Sequence, residues 1–232
     1  MYVINAGNTH TCDSHVGHKT TKMVHEASNY IKKCLGGGQD DALLFCGSGT
    51  TSAIKRLQEV MGITVPSILR ERVMKSLSNE EKWVVFVGPF EHHSNLLSWR
   101  QSLAQVVEIG LDENGLFDMD ALRLQLESYK HANRPLLGSF SACSNVTGIY
   151  SDTKAIAQLL HQYGAFACFD FAARYNAFFF FFLFCFLMSL SVLMSVKSLR
   201  TWQQNESIKH YVTTFIFRYI ALLIKEKKST SL

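Results

Sequence analysis

Several features are missing from this sequence of 232 residues, and each absence narrows the class of protein. The six cysteines lie far apart and include no CxxC pair, which suits reduced thiols in the cytosol or a plastid-like compartment. The Lys and Arg residues are scattered despite the net charge of +4, so the footprint of a nucleic-acid-binding protein is absent. No basic region followed by an apolar run opens the chain, which argues against a secretory signal.

The last part of the chain lacks the residues that turns and loops use. Residues 175–232 contain no Asp, no Gly, no Pro and two Glu, whereas residues 1–174 mix Gly, Asp, Glu and His among short apolar runs. Within this tail, residues 177–196 carry no charge and are long enough to cross a bilayer core of about 30 Å. We therefore expect a domain over residues 1–174 and an unrelated tail over residues 175–232, whose hydrophobic helix is a candidate transmembrane segment.

Before the tail, apolar runs alternate with helical periodicity. The predicted strands are ALLFC (42–46), KWVVFVGP (82–89), AQVVEIGL (104–111), RPLLGSFSAC (134–143) and AFACFDFA (165–172). Helical patterns cover residues 51–63 and follow Asp118 and Ser151, which are the expected N-caps. This alternation predicts an α/β fold with an incomplete doubly wound, mainly parallel sheet.

The carboxyl ends of parallel strands meet at one edge of a sheet, where such folds bind ligands. Four segments would converge there: GSGTT, EHHSN, SNVTG and DFAA. GSGTT exposes backbone N–H groups at a helix N-terminus beside the hydroxyls of Ser48, Thr50 and Thr51, which suits a phosphate. The alternative is a tight strand-to-helix turn with a capping Thr.

Histidines occur in two places that could carry chemistry. EHHSN contains His92 and His93, whose imidazoles could bind a metal, transfer protons or stack on an aromatic ligand, or simply face solvent. Near the N-terminus, HTCDSHVGH contains further His and Cys residues. Their spacing matches no common zinc pattern, so we predict no metal site.

Asp170 stands within an apolar strand-like run and needs a partner, because an unpaired buried carboxylate is costly. The partner is either a structural cation such as Arg or the protonated nitrogen of a heterocycle. A phosphate cradle, a stacking imidazole and such a carboxylate, in this chain order on one α/β sheet, describe a pocket for pyridoxal 5′-phosphate.

The same segments resemble the large domain of class V aminotransferases, in particular the cysteine-desulfurase-like group. The resemblance extends from about residue 8 to residue 172 and lies in the four stretches LLFCGSGTTSAIKRL, VVFVGPFEHHSNLLSWR, VVEIGLDENGLFDMDAL and GSFSACSNVTGIYSDTKAIAQLLHQYGAFACFDFAA. It implies part of the large domain of a type I pyridoxal-phosphate-dependent transferase, an amino-acid substrate and a homodimer.

The resemblance also implies roles for individual residues. Gly49 and Thr50 would hold the phosphate, with the Thr51 hydroxyl beside them. His92 would stack on the pyridine ring, Asn145 would face the ring oxygen, and Asp170 would pair with the ring nitrogen.

The sequence departs from the family at two points. Ala173 stands where the family has Gln, and no His-Lys pair follows Asp170, although that lysine forms the internal Schiff base in the family. Lys197 lies at a comparable distance but lacks the preceding His, so we assign no catalytic residue. The hypothesis is a catalytically inactive, truncated product, cytoplasmic or organellar. The alternative is a non-catalytic binding module anchored in a membrane through residues 177–196.

Overall fold

The computed structural model describes residues 7–9, 12–35, 37–39, 41–47, 49–173, 214–216 and 221–224. Helices and strands alternate along most of this length. The helices are α1 (His15–Cys34), α2 (Gly49–Val60), α3 (Ser67–Ser76), α4 (His93–Gln101), α5 (Met119–Tyr129) and α6 (Thr153–Gln162). The strands are β1 (Ala42–Phe45), β2 (Val84–Val87), β3 (Gln105–Glu108), β4 (Leu136–Ser141), β5 (Phe166–Asp170), β6 (Thr214–Ile216) and β7 (Ala221–Ile224).

Five of the strands form one sheet in the order β3-β2-β4-β5-β6. Every neighbouring pair in this sheet is parallel, whereas β1 pairs with β7 in an antiparallel two-stranded sheet. The predicted α/β class with a mainly parallel sheet is therefore confirmed.

Helices cover both faces of the parallel sheet. Alternate residues of its strands point to opposite faces, and apolar side chains on both faces pack against helices. Val85 and Val87 pack on one face with Trp99 of α4 and with the buried residues Ile54 and Leu57 of α2. The other face packs against α5 and α6. Its buried contributors include Phe86, Phe140, Phe169, Leu122, Leu126, Ile156 and Leu160. This two-sided arrangement is the doubly wound architecture that the sequence pattern predicts.

The predicted strands are all present, and the caps differ from expectation at one helix. Asp118 caps α5 as predicted, since its Oδ1 accepts a hydrogen bond from Ala121 N at 2.8 Å. The prediction that Ser151 caps α6 is wrong. Asp152 is the N-cap, and its Oδ1 accepts from the backbone N–H groups of residues 154 and 155 at 3.1 and 3.0 Å. The Asp152 carboxylate accepts from two backbone donors and interacts favourably with the positive end of the helix dipole. Ser151 Oγ donates instead to Ser141 O at 3.0 Å.

Three of the described cysteines behave as small core residues, as expected. Cys46, Cys143 and Cys168 are buried, and Cys12 is exposed. Burial raises the pKa of the Cys46 thiol above its ordinary value. A buried neutral thiol is a poor nucleophile, which fits a packing role.

Strand β3 forms one end of the described five-stranded sheet, and its polar side chains contact neighbouring elements. Gln105 Nε2 donates to the Tyr129 hydroxyl at 2.9 Å, and Gln105 Oε1 accepts from Arg134 Nη1 at 2.7 Å. At the other end of the strand, Glu108 forms an ion pair with Arg100 of α4. Both terminal residues of β3 therefore carry polar side chains that bond to other elements.

Most of the predicted tail lies outside the described residues, including the candidate helix over 177–196 and Lys197. In the part of the chain that the structure describes, no helix is both long and apolar enough to cross a bilayer. The two described stretches of the tail are β6, which pairs with β5, and β7, which pairs with β1. The domain boundary at residue 174 stays a prediction.

Candidate cofactor-binding site

Three neighbouring strands end at the same edge of the parallel sheet and carry the candidate residues there. The register pairs Val87 of β2 with Ser139 of β4, and Ser141 of β4 with Asp170 of β5. The segment that connects β2 to α4 contains Glu91 and His92. The fold thus brings the EHHSN segment, the end of β4 and Asp170 to one edge, as the topology predicts. The GSGTT segment differs from the prediction, because it follows β1, which belongs to the two-stranded sheet.

The turn before α2 has the backbone of an anion cradle. Gly47 and Gly49 adopt φ values of 55° and 82°, a left-handed conformation that side chains disfavour. The 12-residue helix α2 begins at Gly49, so its unpaired N–H groups and the positive end of its dipole lie at this turn. Ser48 is outside the described residues.

Thr50 provides a direct test of whether this turn suits a phosphate. Its residue is buried, and Oγ1 has no hydrogen-bond partner among the described residues. A buried hydroxyl without a partner costs about 1–3 kcal/mol, so such a group at a helix N-terminus fits an acceptor supplied by a ligand. Thr51 is exposed in the first turn of the same helix. The turn therefore fits a phosphate group.

His92 is the N-cap of α4, a structural role that the sequence did not indicate. Its Nδ1 accepts a hydrogen bond from Ser94 N at 3.2 Å and lies 2.8 Å from Ser94 Oγ. The ring is exposed, and its centroid lies 6.0 Å from that of His93 with the planes inclined by 59°. One edge of the His92 imidazole is thus fixed by the helix, while the residue stays accessible. Across the described ranges, no group of three His, Cys, Asp or Glu residues is placed to hold a metal.

Asp170 ends β5 and is 6% exposed. Its Oδ1 accepts a hydrogen bond from Ala172 N at 2.8 Å, and no described Lys or Arg forms an ion pair with it. Burial raises the pKa of Asp170 to about 6, and the hydrogen bond from Ala172 and the charge of His92 partly oppose this rise. A desolvated carboxylate without an ion pair to a described Lys or Arg fits the protonated nitrogen of a ring.

Glu91 is a second desolvated carboxylate at this edge, and the sequence analysis did not single it out. Its Oε2 accepts from Asn95 Nδ2 at 2.6 Å and from Ser141 Oγ at 2.8 Å, and its Oε1 accepts from Ser141 N at 2.8 Å. Burial raises the pKa of Glu91 to about 7, the three hydrogen bonds lower it, and the charge of Asp170 raises it further. Ser141, which donates two hydrogen bonds to Glu91, is paired in register with Asp170, so Glu91 is attached beside the end of β5.

The hydrogen bonds of Glu91 continue into the core through Asn95. Asn95 Oδ1 accepts from Trp99 Nε1 at 2.7 Å and from Ser139 Oγ at 2.8 Å, and its Nδ2 also donates to Ser139 O at 3.3 Å. Trp99 Nε1 is 2.9 Å from Ser139 Oγ as well. Because each polar atom of the Asn95 side chain has two partners, this buried network is satisfied internally.

Asn145 follows β4 and is the remaining candidate residue. It is exposed, in a turn that Ser144 N closes by donating to Ile149 O at 2.9 Å and in which Gly148 has a φ of 73°. In the described part of the chain, Asn145 makes no hydrogen bond with Asp170 or with His92. Its role at a ring oxygen stays a prediction, as do the roles of Gly49, Thr50, Thr51, His92 and Asp170.

Comparison with known families identifies the family of this chain. The family model described as aminotransferase class-V matches residues 1–177. The chain belongs to this family. Its members depend on pyridoxal 5′-phosphate, which is the cofactor that the phosphate cradle and the buried Asp170 fit.

Curated relatives of this class V chain include cysteine desulfurases. A probable cysteine desulfurase from Chlamydia muridarum is 27% identical over 161 residues, which cover 66% of this chain and 34% of the relative. A cysteine desulfurase from Synechococcus elongatus is 24% identical over 162 residues, which cover 68% of this chain and 23% of the relative. The chain thus spans about a third or less of the length of these relatives.

Solved structures show the same fold. The apo structure of a cysteine desulfurase from Thermococcus onnurineus NA1 superposes with a TM-score of 0.61 at 16% identity and covers 97% of this chain and 48% of that one. A NifS-like protein from Rickettsia africae ESF-5 gives a TM-score of 0.58 at 16% identity, with coverage of 94% and 50%. At such identities the likeness concerns the fold alone.

Proposed function

We propose that this class V chain is a cysteine-desulfurase-like protein that binds pyridoxal 5′-phosphate without a covalent bond and does not turn over a substrate. The observation that carries the proposal is the Asp170 carboxylate, which is buried at the carboxyl end of β5 and forms no ion pair with a described Lys or Arg. Thr50 Oγ1, buried without a described partner at the start of α2, supports it independently.

In this proposal each group at the edge has a distinct role. The N-terminus of α2, with Gly49, Thr50 and Thr51, binds the phosphate. His92 contacts the face of the ring, and Asp170 accepts a hydrogen bond from the ring nitrogen and keeps it protonated. When bound, the cofactor supplies an electron sink for a substrate carbanion. That property depends on a proton at the ring nitrogen, which the Asp170 carboxylate stabilises there.

The proposed lack of turnover rests on the residues that follow Asp170. The family's catalytic lysine holds the cofactor covalently and moves a proton at the substrate carbon, and no His-Lys pair stands after Asp170 in this sequence. Ala173 replaces the family's Gln and removes one polar side chain near Asp170. We therefore expect weaker cofactor binding than in a complete family member. Amino-acid substrates and a homodimer remain proposals for a complete protein.

The first test is a titration of the purified chain with pyridoxal 5′-phosphate, followed by absorbance and by equilibrium dialysis. We expect one saturable site per chain, with the affinity reduced about tenfold or more by Asp170→Asn, because a charge-assisted hydrogen bond becomes neutral. Asp120→Asn, at an exposed position of α5, is the matched control and should bind as the wild type does.

Borohydride reduction tests the non-covalent part of the proposal. Reduction followed by peptide mass spectrometry should give low, scattered labelling of surface lysines and no stoichiometric label. A single lysine labelled in proportion to bound cofactor, Lys197 included, together with sulfur release from cysteine, would contradict the proposal. Absence of saturable binding by the wild type would refute it altogether.

A second candidate is a membrane-anchored binding module that keeps the same cradle. It rests on the uncharged run over residues 177–196, which is long enough to span a bilayer. Carbonate extraction of membranes from cells that produce the chain separates the two candidates. Retention in the pellet would favour the anchored module, and release into the supernatant would exclude a spanning segment.

A further inference from the structure

We propose that Glu91 is a positioning residue for the cofactor ring, because it locks the segment that carries His92 to the end of β4 beside Asp170. This inference rests on the proposed function, since the ring that His92 would contact is that of the proposed cofactor. No role for Glu91 follows from the sequence motifs, in which only the following histidines were singled out.

The hydrogen bonds of Glu91 form a clamp between two elements. Both oxygens bind Ser141, one through its backbone N–H and the other through its hydroxyl, each at 2.8 Å. The oxygen that binds the hydroxyl also accepts from Asn95, in the first turn of α4, at 2.6 Å. A single side chain therefore joins the segment after β2, the first turn of α4 and the end of β4.

In the sequence, His92 lies between Glu91 and Asn95, whose side chains are hydrogen-bonded in the clamp. It is the residue next to Glu91 and the N-cap of α4, and Asn95 is the third residue of the helix that His92 caps. Ser141 is paired in register with Asp170 across β4 and β5. Fixing Glu91 to Ser141 therefore fixes the distance between the backbone of His92 and the carboxylate at the end of β5.

Gly88 makes room for the clamp. A Cβ atom at this position would lie 2.9 Å from Glu91 Oε1, closer than real Cβ atoms approach a neighbour, and 3.4 Å or more from Phe140 and Phe117. The φ of Gly88 lies outside the left-handed region, so the backbone itself would accept alanine. Gly88→Ala should thus displace the Glu91 carboxylate while the residue is still present.

The charge at this edge gives the clamp a second consequence. Glu91 and Asp170 are both desolvated carboxylates, and the charge of Asp170 raises the pKa of Glu91, so ionisation of Glu91 carries an electrostatic cost. The three donors to Glu91 offset part of this cost and leave Asp170 with one described donor. Glu91 is therefore held by the protein, whereas Asp170 keeps capacity for a ligand.

The test begins with the chain free of cofactor and uses the imidazole signal of His92, observed by NMR in carbon-labelled protein and assigned with His92→Gln. We expect Glu91→Ala and Gly88→Ala to move or broaden this signal, because both release the segment that holds the ring. Glu113→Gln, at an exposed position after β3, is the control and should leave the signal in place. An unchanged His92 signal in both clamp variants would overturn the inference.

Titrations with two probes then separate positioning from general loss of structure. Pyridoxal 5′-phosphate should bind about tenfold more weakly to both clamp variants, an effect of the size found when supporting side chains are removed from a site. Inorganic phosphate, which needs only the start of α2, should bind as in the wild type. Equal loss for both probes, or loss for neither while the wild type binds the cofactor, would overturn the inference. Failure of the wild type to bind the cofactor would instead refute the proposed function.

A double-mutant cycle shows whether Gly88→Ala acts through Glu91. In Glu91→Ala the space that the new methyl group needs is vacant, so the combined variant should bind the cofactor about as weakly as Glu91→Ala alone. Additive losses would mean that Gly88→Ala acts elsewhere and would remove this support. Thermal unfolding of each variant confirms that the compared proteins are folded.

Discussion

The two halves of the candidate site are built differently. The ring half lies after β2, β4 and β5 and consists of Glu91, His92, Asn95, Trp99, Ser139, Ser141 and Asp170. The phosphate half is the turn before α2 with Gly47, Gly49 and Thr50. In the ring half the polar atoms of Asn95 and both carboxylate oxygens of Glu91 are bonded to protein, whereas in the phosphate half the Thr50 hydroxyl has no described partner.

The ring half is therefore preorganised, whereas the phosphate half has a hydroxyl that is available to a ligand. A network that is satisfied internally holds its shape before a ligand arrives, so binding there costs little ordering of the protein. A buried donor without a partner lowers the stability of the free protein, and this cost is removed when a ligand supplies an acceptor. Asp170 belongs to the ring half by position but resembles Thr50 in having bonding capacity to spare.

The largest effect is expected at Asp170, where Asp170→Asn should stabilise the cofactor-free chain at pH 8. Because burial raises the pKa of Asp170 from 3.8 to about 6, the folded state binds the proton more tightly than the unfolded state. The contribution of protonated Asp170 to the unfolding free energy is therefore fully present below about pH 4 and is lost as the pH rises through 6. The change in pKa corresponds to about 3 kcal/mol at most. Urea unfolding at pH 8 and at pH 4 measures it.

Asparagine cannot ionise, so the variant and the wild type should converge at pH 4. Asp120→Asn is the control and should lower stability by a few tenths of a kcal/mol, since a carboxylate in the first turn of a helix is favourable. Destabilisation of Asp170→Asn at pH 8 would mean that the ionised carboxylate has a favourable partner in the cofactor-free chain.

A smaller effect is expected from Trp99→Phe, which breaks the network of the ring half. The variant loses the indole N–H that serves Asn95 Oδ1 and Ser139 Oγ, so about 2 kcal/mol of unfolding free energy should be lost. Trp83→Phe is the matched control, because Trp83 is half-buried against Phe166 with ring centroids 5.7 Å apart and its indole N–H has no described hydrogen bond. Equal losses in the two variants would show that ring volume, rather than the network, decides stability.

The smallest effect is expected in the phosphate half, where Thr50→Val should raise the unfolding free energy by about 1 kcal/mol. The substitution keeps the shape of the side chain and removes a buried hydroxyl without a described partner. The affinity for inorganic phosphate should fall several-fold, as isothermal titration would measure. Thr51→Val, at the exposed neighbouring position, should change stability less. A loss of stability in Thr50→Val would show that the hydroxyl is satisfied in the free protein.

The sequence predicts the parallel sheet well and places Asp170 at its edge, for physical reasons. Strands buried on both faces are read as apolar runs, and the segments at their ends follow from the topology, which is why Asp170 could be placed at the end of β5. The turn before α2 follows β1, which pairs with β7 outside the parallel sheet, so the topology of that sheet does not place it. Glu91 could not, because composition does not tell which polar residue of EHHSN turns inward. The available signal was its position at a strand end directly before the histidine pair.

Three other features of the fold do not follow from local sequence patterns. Ser151 and Asp152 are both good capping residues, and the choice between them depends on where α6 packs on β4 and β5. The helices α1, α3 and α4 were not predicted, and α3 and α4 have few or no fully buried apolar residues to mark a face. The pairing of β6 with β5 joins segments far apart in the chain, which local periodicity does not encode.

The polar ends of β3 have a consequence for how copies of this chain behave when crowded. A strand at the border of a sheet is a template for a foreign strand, and natural proteins discourage such recruitment with charged side chains and occupied hydrogen-bonding groups. Here Glu108 is engaged by Arg100, and Gln105 is held between Tyr129 and Arg134. An approaching strand would have to displace these contacts, so this border of the sheet is protected against self-association into fibrils or aggregates.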